Sequence, residues 1–500
     1  MTGVRPGRLV AAALAGLASA AAGLAATGRV IEAGSPAPRG IAGVEVSNGV
    51  DITESGADGA YSLPDRPGGI VFVIKPRGWR SPRNAAQLPQ FHAKPREERH
   101  DFSLERCSEG DAIRVLVLTD TQPASTEQVG YLERGVTERI PRDTGACLGV
   151  TLGDIAYDRP DLFGAVNAAV AKIGLPWYNL PGNHDVSLAT PDEHGAVAPF
   201  EAVYGPSTFA FHAGPALFVA LDDVRPLGGP RFTGGLTRDQ FTFLANLLRR
   251  SPASEWVVLM MHIPTFAPDP SGTEGFRAAD RLRLFGLLEG RPRVLILSGH
   301  THYQRHVLHG PVDGWMGQRP LHEYNVAAAC GGFWGGPPDR DGIPVSTMWD
   351  GTPPGYALVG ISGDSASLDY YPAREPADHQ IALHVPRVVA PAQGFVSFYA
   401  NIFNGYDGWD VRFRVDDGAW NSVRRVLGWD PTYAEAFLAQ DTAATPLAGP
   451  RLPDPVVCYH LWRGPLPAGL SLGAHRLEVM ATDPMGKSFR ASQMFEVARP

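Results

Sequence analysis

The sequence predicts a protein of the α/β class: a central α/β sandwich with an all-β sandwich domain at each end. Three observations lead there. Over residues 111–375, apolar strand-like runs alternate with segments of helical periodicity. On either side the pattern changes to short alternating runs broken by Gly, Pro and Asp turns, as antiparallel sandwiches require. At 500 residues the chain also exceeds what one hydrophobic core normally serves.

Taken in order, residues 1–26 read as a signal peptide. Arg5 and Arg8 precede an apolar stretch of small residues, and Ala18-Ser19-Ala20 or Leu24-Ala25-Ala26 offers a cleavage site. The alternative, an uncleaved anchor helix, would barely span a bilayer and is rich in Ala and Gly. The protein is therefore expected to be exported, periplasmic or extracellular, with no stable membrane anchor once the signal is removed. Residues 27–107 follow as an N-terminal β-sandwich, with strands in GRVIEAG, GVEVSNG, DITESG, GAYSLP and GIVFVIKP. Within 111–375, RVLVLT and CLGVTL are strands with a helix between them at about 126–139. DLFGAVNAAVAKIG and RLRLFGLLEG show helical spacing, and Thr237 caps a helix in LTRDQFTFLANLLRR. PWYNLP, FAFHAG, ALFVALDDV, WVVLMMH and RVLILSGH supply further strands. Residues 380–500 return to β, with strands in FVSFYANIF, WDVRFRVD, HRLEVMATD and FRASQMFEV.

Composition narrows the function classes. A formal charge of −8 and a pI near 6.0 leave no basic surface for nucleic acid, so that partner is not expected. The four cysteines form no Cys-x-x-Cys pair, which argues against a zinc-thiolate site and leaves any disulfide pairing open.

Five blocks carry the chemistry: Asp120-Thr121-Gln122, Gly153-Asp154, Gly182-Asn183-His184-Asp185, His262 and Gly299-His300-Thr301-His302. All but the third directly follow an apolar run, so their donors sit at strand ends, where open α/β sheets place their sites. Oxygen donors mixed with imidazole, and no thiolate, suit Mn, Fe or Zn. The donor set points to a metal hydrolase.

These blocks resemble the calcineurin-like metallophosphoesterase superfamily, whose pattern is Asp-x-His, Gly-Asp, Gly-Asn-His-Asp/Glu, His and Gly-His-x-His. The one departure is Gln122 in place of the first His. GIAGVEVSNGVDITESGADGAYSLP is similar to the transthyretin-like module of an exported subfamily, and HLWRGPLPAGLSLGAHRLEVMATDPMG to its C-terminal β domain. The resemblance implies a four-layer fold of two mixed sheets flanked by helices, holding two metal ions. It implies Asp154 as the bridge, Asp120, Gln122 and His302 on one ion, and Asn183, His262 and His300 on the other. It further implies hydrolysis of phosphate mono- or diesters by direct attack of a metal-bridging hydroxide, with His184 as general acid and Asp185 orienting it. Gly153-Asp154-Ile155-Ala156-Tyr157 also matches a purple acid phosphatase motif whose tyrosinate binds iron, so Tyr157 is the alternative ligand to Gln122.

Around the site, glycines flanking Phe333 and Trp334 let both rings line a substrate pocket, or fold into a buried turn. Asp158 reads either as a supporting residue or as a helix cap. A phosphoester linked to a glycan or lipid would suit an exported enzyme. The rival reading is a non-catalytic surface carbohydrate-binding or scaffold protein that keeps the fold; His184 beside a full ligand set argues against it.

Overall fold

The computed structural model describes residues 25–34, 39–66, 68–93, 99–190, 193–266, 275–391, 396–445 and 451–499. The signal expected at 1–26 lies outside them, except that Ala25 and Ala26 already open the first strand, Ala25–Glu32. That strand pairs with Ala60–Pro64, Arg39–Gly40 and Phe102–Arg106, and Trp79–Arg80 extends the sheet. Glu45–Ser47, between Ile52–Glu54 and Phe72–Ile74, forms the second sheet. Val30, Val46, Phe72 and Leu104 fill the space between them.

The central region has two mixed sheets. In the first, Trp177–Asn179, Leu148–Thr151 and Ala112–Leu118 run parallel, and Gly355–Ser362 and Ser365–Pro372 continue antiparallel. In the second the order is Phe209–Ala213, Ala216–Ala220, Trp256–Met260, Val294–Ser298, Leu321–Asn325 and Arg305–His309, parallel across its middle. Ala216–Ala220 and Trp256–Met260 are buried along their whole length, as strands covered on both faces must be, and so read as unbroken apolar runs. The helix Arg238–Arg250 begins where expected. Thr237 Oγ1 accepts from Gln240 N at 3.1 Å while Gln240 Oε1 accepts from Thr237 N at 2.8 Å, a reciprocal cap that contributes about 1 kcal/mol.

The C-terminal sandwich stacks a four-stranded sheet (Ile381–His384, Ser397–Ile402, Cys458–Pro465, Arg424–Gly428) on a five-stranded one built around Gly473–Thr482 and Ser488–Val497. It also holds a helix, Pro431–Asp441, that the all-β reading missed. Asp430 caps it, accepting from Tyr433 N at 2.8 Å. Tyr433 is its one buried residue, so the segment has no apolar stripe to announce a helix. No helix among the described residues is long and apolar enough to cross a membrane. All four cysteines are free thiols.

Candidate metal centre

The strands Ala112–Leu118, Leu148–Thr151, Trp256–Met260 and Val294–Ser298 end on the same side of the molecule, and Asp120, Asp154, His262 and His300 emerge just beyond them. Asp154, His262 and His300 offer donor atoms that all lie within 4.8 Å of one another. His262 Nε2 stands 3.4 Å from Asp154 Oδ2 and 3.1 Å from Asn183 Oδ1. Beside this group, His302 Nε2 faces Asp120 Oδ1 at 3.5 Å. The structure thus brings all seven expected ligands into one buried region.

Both buried imidazoles are held the same way. His262 Nδ1 donates to the Leu152 carbonyl oxygen at 2.9 Å, and His302 Nδ1 donates to that of Gly331 at 2.7 Å. With Nδ1 so engaged, Nε2 is the ring nitrogen left to face the carboxylates, and the one a metal ion would displace a proton from. Asp120 Oδ2 accepts from Thr119 Oγ1 at 2.5 Å and from His300 N at 2.9 Å. Its Oδ1, fully buried, accepts no hydrogen bond. A buried carboxylate oxygen left without a donor costs free energy unless a cation faces it. The donor set fits a metal.

The backbone is bent to make this possible. Asp120, Gln122, Asp154, His300 and His302 all have φ between 38° and 72°, as do Asp158, Phe333 and Trp334. Such conformations cost non-glycine residues roughly 1–3 kcal/mol each and gather at functional sites. Close packing fixes two glycines as well. A Cβ on Gly182 would meet Asp154 Oδ1 at 2.2 Å, and one on Gly299 would meet Thr119 Oγ1 at 1.9 Å.

Charges alternate through the cluster. Burial pushes His262 down, but the Asp154 charge outweighs it and raises the group to about 10. Burial tends to raise Asp154, and the His262 charge instead holds it below the ordinary carboxylate range. Burial, then the neighbouring His262 charge, depresses His300 to about 3, leaving a neutral donor.

One expectation changes, and two open readings are narrowed. Asp185 does not orient His184: its carboxylate accepts from the backbone of Ile155 (2.9 Å), Gly182 (2.9 Å) and Ala156 (3.2 Å), clamping the Asp154 loop to its own. Asp158, left open between two roles, takes that place, with Oδ1 3.0 Å from His184 Nδ1. Trp334 does not line a pocket: it is buried, its indole N–H donating to the Thr121 carbonyl oxygen at 2.9 Å. Phe333 is partly exposed, its ring centroid 4.3 Å from that of His302 and 6.0 Å from that of Tyr157.

Gln122 and Tyr157 separate clearly. The Gln122 amide is buried and donates from Nε2 to Asp154 Oδ2, while its oxygen faces the Cys330 thiol at 3.7 Å. Ligation through that oxygen needs a half-turn of the amide. Tyr157 is exposed, its ring stacked on His184 at 4.1 Å.

Other supports escaped the sequence reading. Asp223 accepts from the backbone of His262 (3.1 Å) and Ile263 (3.0 Å), and burial raises it to about 7. Glu323 accepts from Thr265 N at 2.7 Å and lies 2.7 Å from His309 Nε2. Both are acidic residues in strands or turns with no local motif to mark them.

Three family models match the chain. Residues 25–107 match the N terminal of Calcineurin-like phosphoesterase, 113–304 match Calcineurin-like phosphoesterase, and 323–489 match the C terminal of Calcineurin-like phosphoesterase. No curated protein matches. Solved structures that match include a purple acid phosphatase isolated from yellow lupin (Lupinus luteus) seeds. It is 12% identical, with 66% of this chain and 67% of that one covered and a TM-score of 0.37.

Proposed function

Because the chain belongs to the calcineurin-like phosphoesterases, we propose that it is an exported, dinuclear metal-dependent phosphoesterase acting on phosphate mono- or diesters. The observation that carries this is the paired arrangement of donors, Asp154 with His262 and His300 on one side and Asp120 with His302 on the other. Asp154 would be shared, Asn183, His262 and His300 completing one ion's donors and Asp120, Gln122 and His302 the other's. Bound Mn, Fe or Zn ions would supply Lewis-acid polarisation of phosphoryl oxygens and an acidified water.

The chain's own residues do the rest. Asp158 at Nδ1 fixes the His184 ring and leaves Nε2 to hold the proton delivered to the departing oxygen. Tyr157 covers one face of that ring and restricts its rotation. Asp185, tied to backbone N–H groups, holds the Asp154 loop against its own turn, and Asp223 holds the His262 turn in the same way. The buried position of Gln122 beside Asp154 favours it as the ligand over exposed Tyr157; an intense visible charge-transfer band in the purified protein would reverse that choice. Phe333, partly exposed beside His302, would offer a face to a flat part of the substrate. A glycan- or lipid-linked phosphate would suit the proposed exported location.

Metal analysis with turnover of p-nitrophenyl phosphate and bis-p-nitrophenyl phosphate tests the reading. Wild type is expected to bind two ions and turn over at least one ester, and Asp154→Ala to lose both properties. His184→Ala should keep both ions and lose about 10²–10⁴-fold in turnover. No metal and no turnover under Mn, Zn and Fe loading would overturn the assignment.

A further inference from the structure

The loop that carries His300 and His302 is held from the far side by the C-terminal sandwich. Gln304, two residues past His302, is fully buried. Its backbone N–H donates to Asp350 Oδ2 at 2.8 Å, and its Nε2 donates to the Phe403 carbonyl oxygen at 2.8 Å and Asn404 Oδ1 at 3.0 Å. Its Oε1 accepts from Ala327 N at 3.1 Å. The same Asp350 oxygen lies 2.8 Å from His460 Nε2, and His460 Nδ1 lies 2.7 Å from Asn401 Oδ1. Asn401 in turn donates to the Asp350 carbonyl oxygen at 2.9 Å and to Asp430 Oδ2 at 3.0 Å. Every one of these side chains is buried.

A second strut runs beside it. Val456 N donates to the Trp349 carbonyl oxygen at 3.3 Å, and the Trp349 ring stacks on His302 at 5.7 Å. Burying so many polar groups returns little net stability, because each gives up water to gain its partner. Hydrogen bonds are directional where apolar contacts are not. What this network supplies is one allowed position for the Gln304 backbone, and so for the imidazole just before it.

We infer that His460 is a positioning residue of the metal centre: through Asp350 and Gln304 it fixes His302 opposite Asp120, which makes the C-terminal sandwich a working part of the site. This rests on the metal centre proposed above. The test is calorimetric titration of the metal-stripped full-length protein with Zn or Mn, together with elemental analysis. In His460→Ala one ion is expected to bind as in wild type and the other to weaken roughly 10–100-fold, as when other supports of metal ligands are removed. His460→Gln, which keeps an N–H for Asp350, should recover most of that loss. Phe398→Leu, in the apolar core of the same sandwich, should lower the melting temperature and leave both affinities unchanged. If His460→Ala does not fold, Asn404→Ala decides by the same selective weakening. Unchanged affinities in the folded variants, or equal losses in Phe398→Leu, would overturn the inference while leaving the metal centre intact. Wild type that binds no metal would overturn both.

Discussion

The N-terminal sandwich reaches the central sheets where their strands begin, sharing a cavity wall with Ala112, Ile113 and Leu148, while the C-terminal sandwich reaches them where the ligand loops leave. The chemistry of the two contacts differs as much as their position. On the N-terminal side Phe72 packs edge-on against Phe243 at 5.9 Å and Phe91 against Phe209 at 5.0 Å, with ion pairs at the rim. On the C-terminal side the contact is a buried run of amides, carboxylates and imidazole. Apolar packing tolerates small shifts, because its energy follows area more than angle. Hydrogen bonds lose strength steeply with misalignment. Two accessory domains of similar build therefore do different work, one adding stability and the other adding geometry.

Phe72→Ala probes the difference most severely. Truncating a fully buried phenylalanine costs about 3–5 kcal/mol. Turnover per folded molecule and both metal affinities should nonetheless match wild type, read by denaturant unfolding beside metal titration. Selective weakening of one ion, as expected for His460→Ala, would mean that the N-terminal contact also steers the site.

The donors were legible because their signal is local: an apolar strand, a turn, then Asp, Asn or His. Most supports were not, because each is supplied by a distant segment; Asp158 was marked only as one of two readings. Asp350 meets His460 across 110 residues, and Asp158 meets His184 across 26. Asp185 misled because adjacent side chains diverge; its carboxylate turns back to the Asp154 loop while the His184 ring turns out to Asp158. Trp334 stayed open because flanking glycines permit either direction, and the Thr121 carbonyl chose the inward one. Among elements, strands with continuous apolar runs were plain. The helix Pro431–Asp441, with Tyr433 its one buried residue, had no stripe to read, whereas Glu193–Tyr204 buries Ala196, Val197, Phe200 and Tyr204 but is interrupted by Pro199, which reads as a breaker.

Acid and base should act on the two contacts in opposite directions. Glu201 lines the cavity shared with Asn48 and Arg66 of the N-terminal sandwich, and burial, with the Asp222 charge adding, raises it to about 7. A group raised in the folded state contributes stability that is complete below its ordinary value of 4.5 and lost as pH climbs through 7. At the C-terminal contact, His306 Nδ1 meets His322 Nε2 at 3.0 Å and His306 Nε2 meets Asn404 Oδ1 at 2.9 Å. Burial, then the nearby His309 charge, depresses His322 to about 4 against the pull of Glu323, and burial depresses His306 as well. Their contribution is complete above 6.5 and lost as pH falls through 4. Melting temperatures between pH 4 and 8 check this: Glu201→Gln should flatten the alkaline slope and His322→Asn the acid slope. Slopes that ignore the variants, or exchange places, would break the pairing of each contact with its own titrating group.

The smallest expected effect sits at the N-terminal rim. Arg250, in the last turn of its helix, donates to Glu54 Oε1 at 2.8 Å and to the Ile52 carbonyl oxygen at 3.0 Å. Both side chains are substantially open to solvent, where an ion pair contributes about 0–1 kcal/mol. A cation near the helix C-terminus adds a few tenths of a kcal/mol. Arg250→Ala should thus destabilise by about 1 kcal/mol at low salt, by less at 1 M salt where such charges are screened, and should leave turnover and metal binding untouched. A loss above about 2 kcal/mol that persists in salt would go beyond a solvent-exposed pair. It would mean that the N-terminal sandwich, too, is held by direction-dependent contacts.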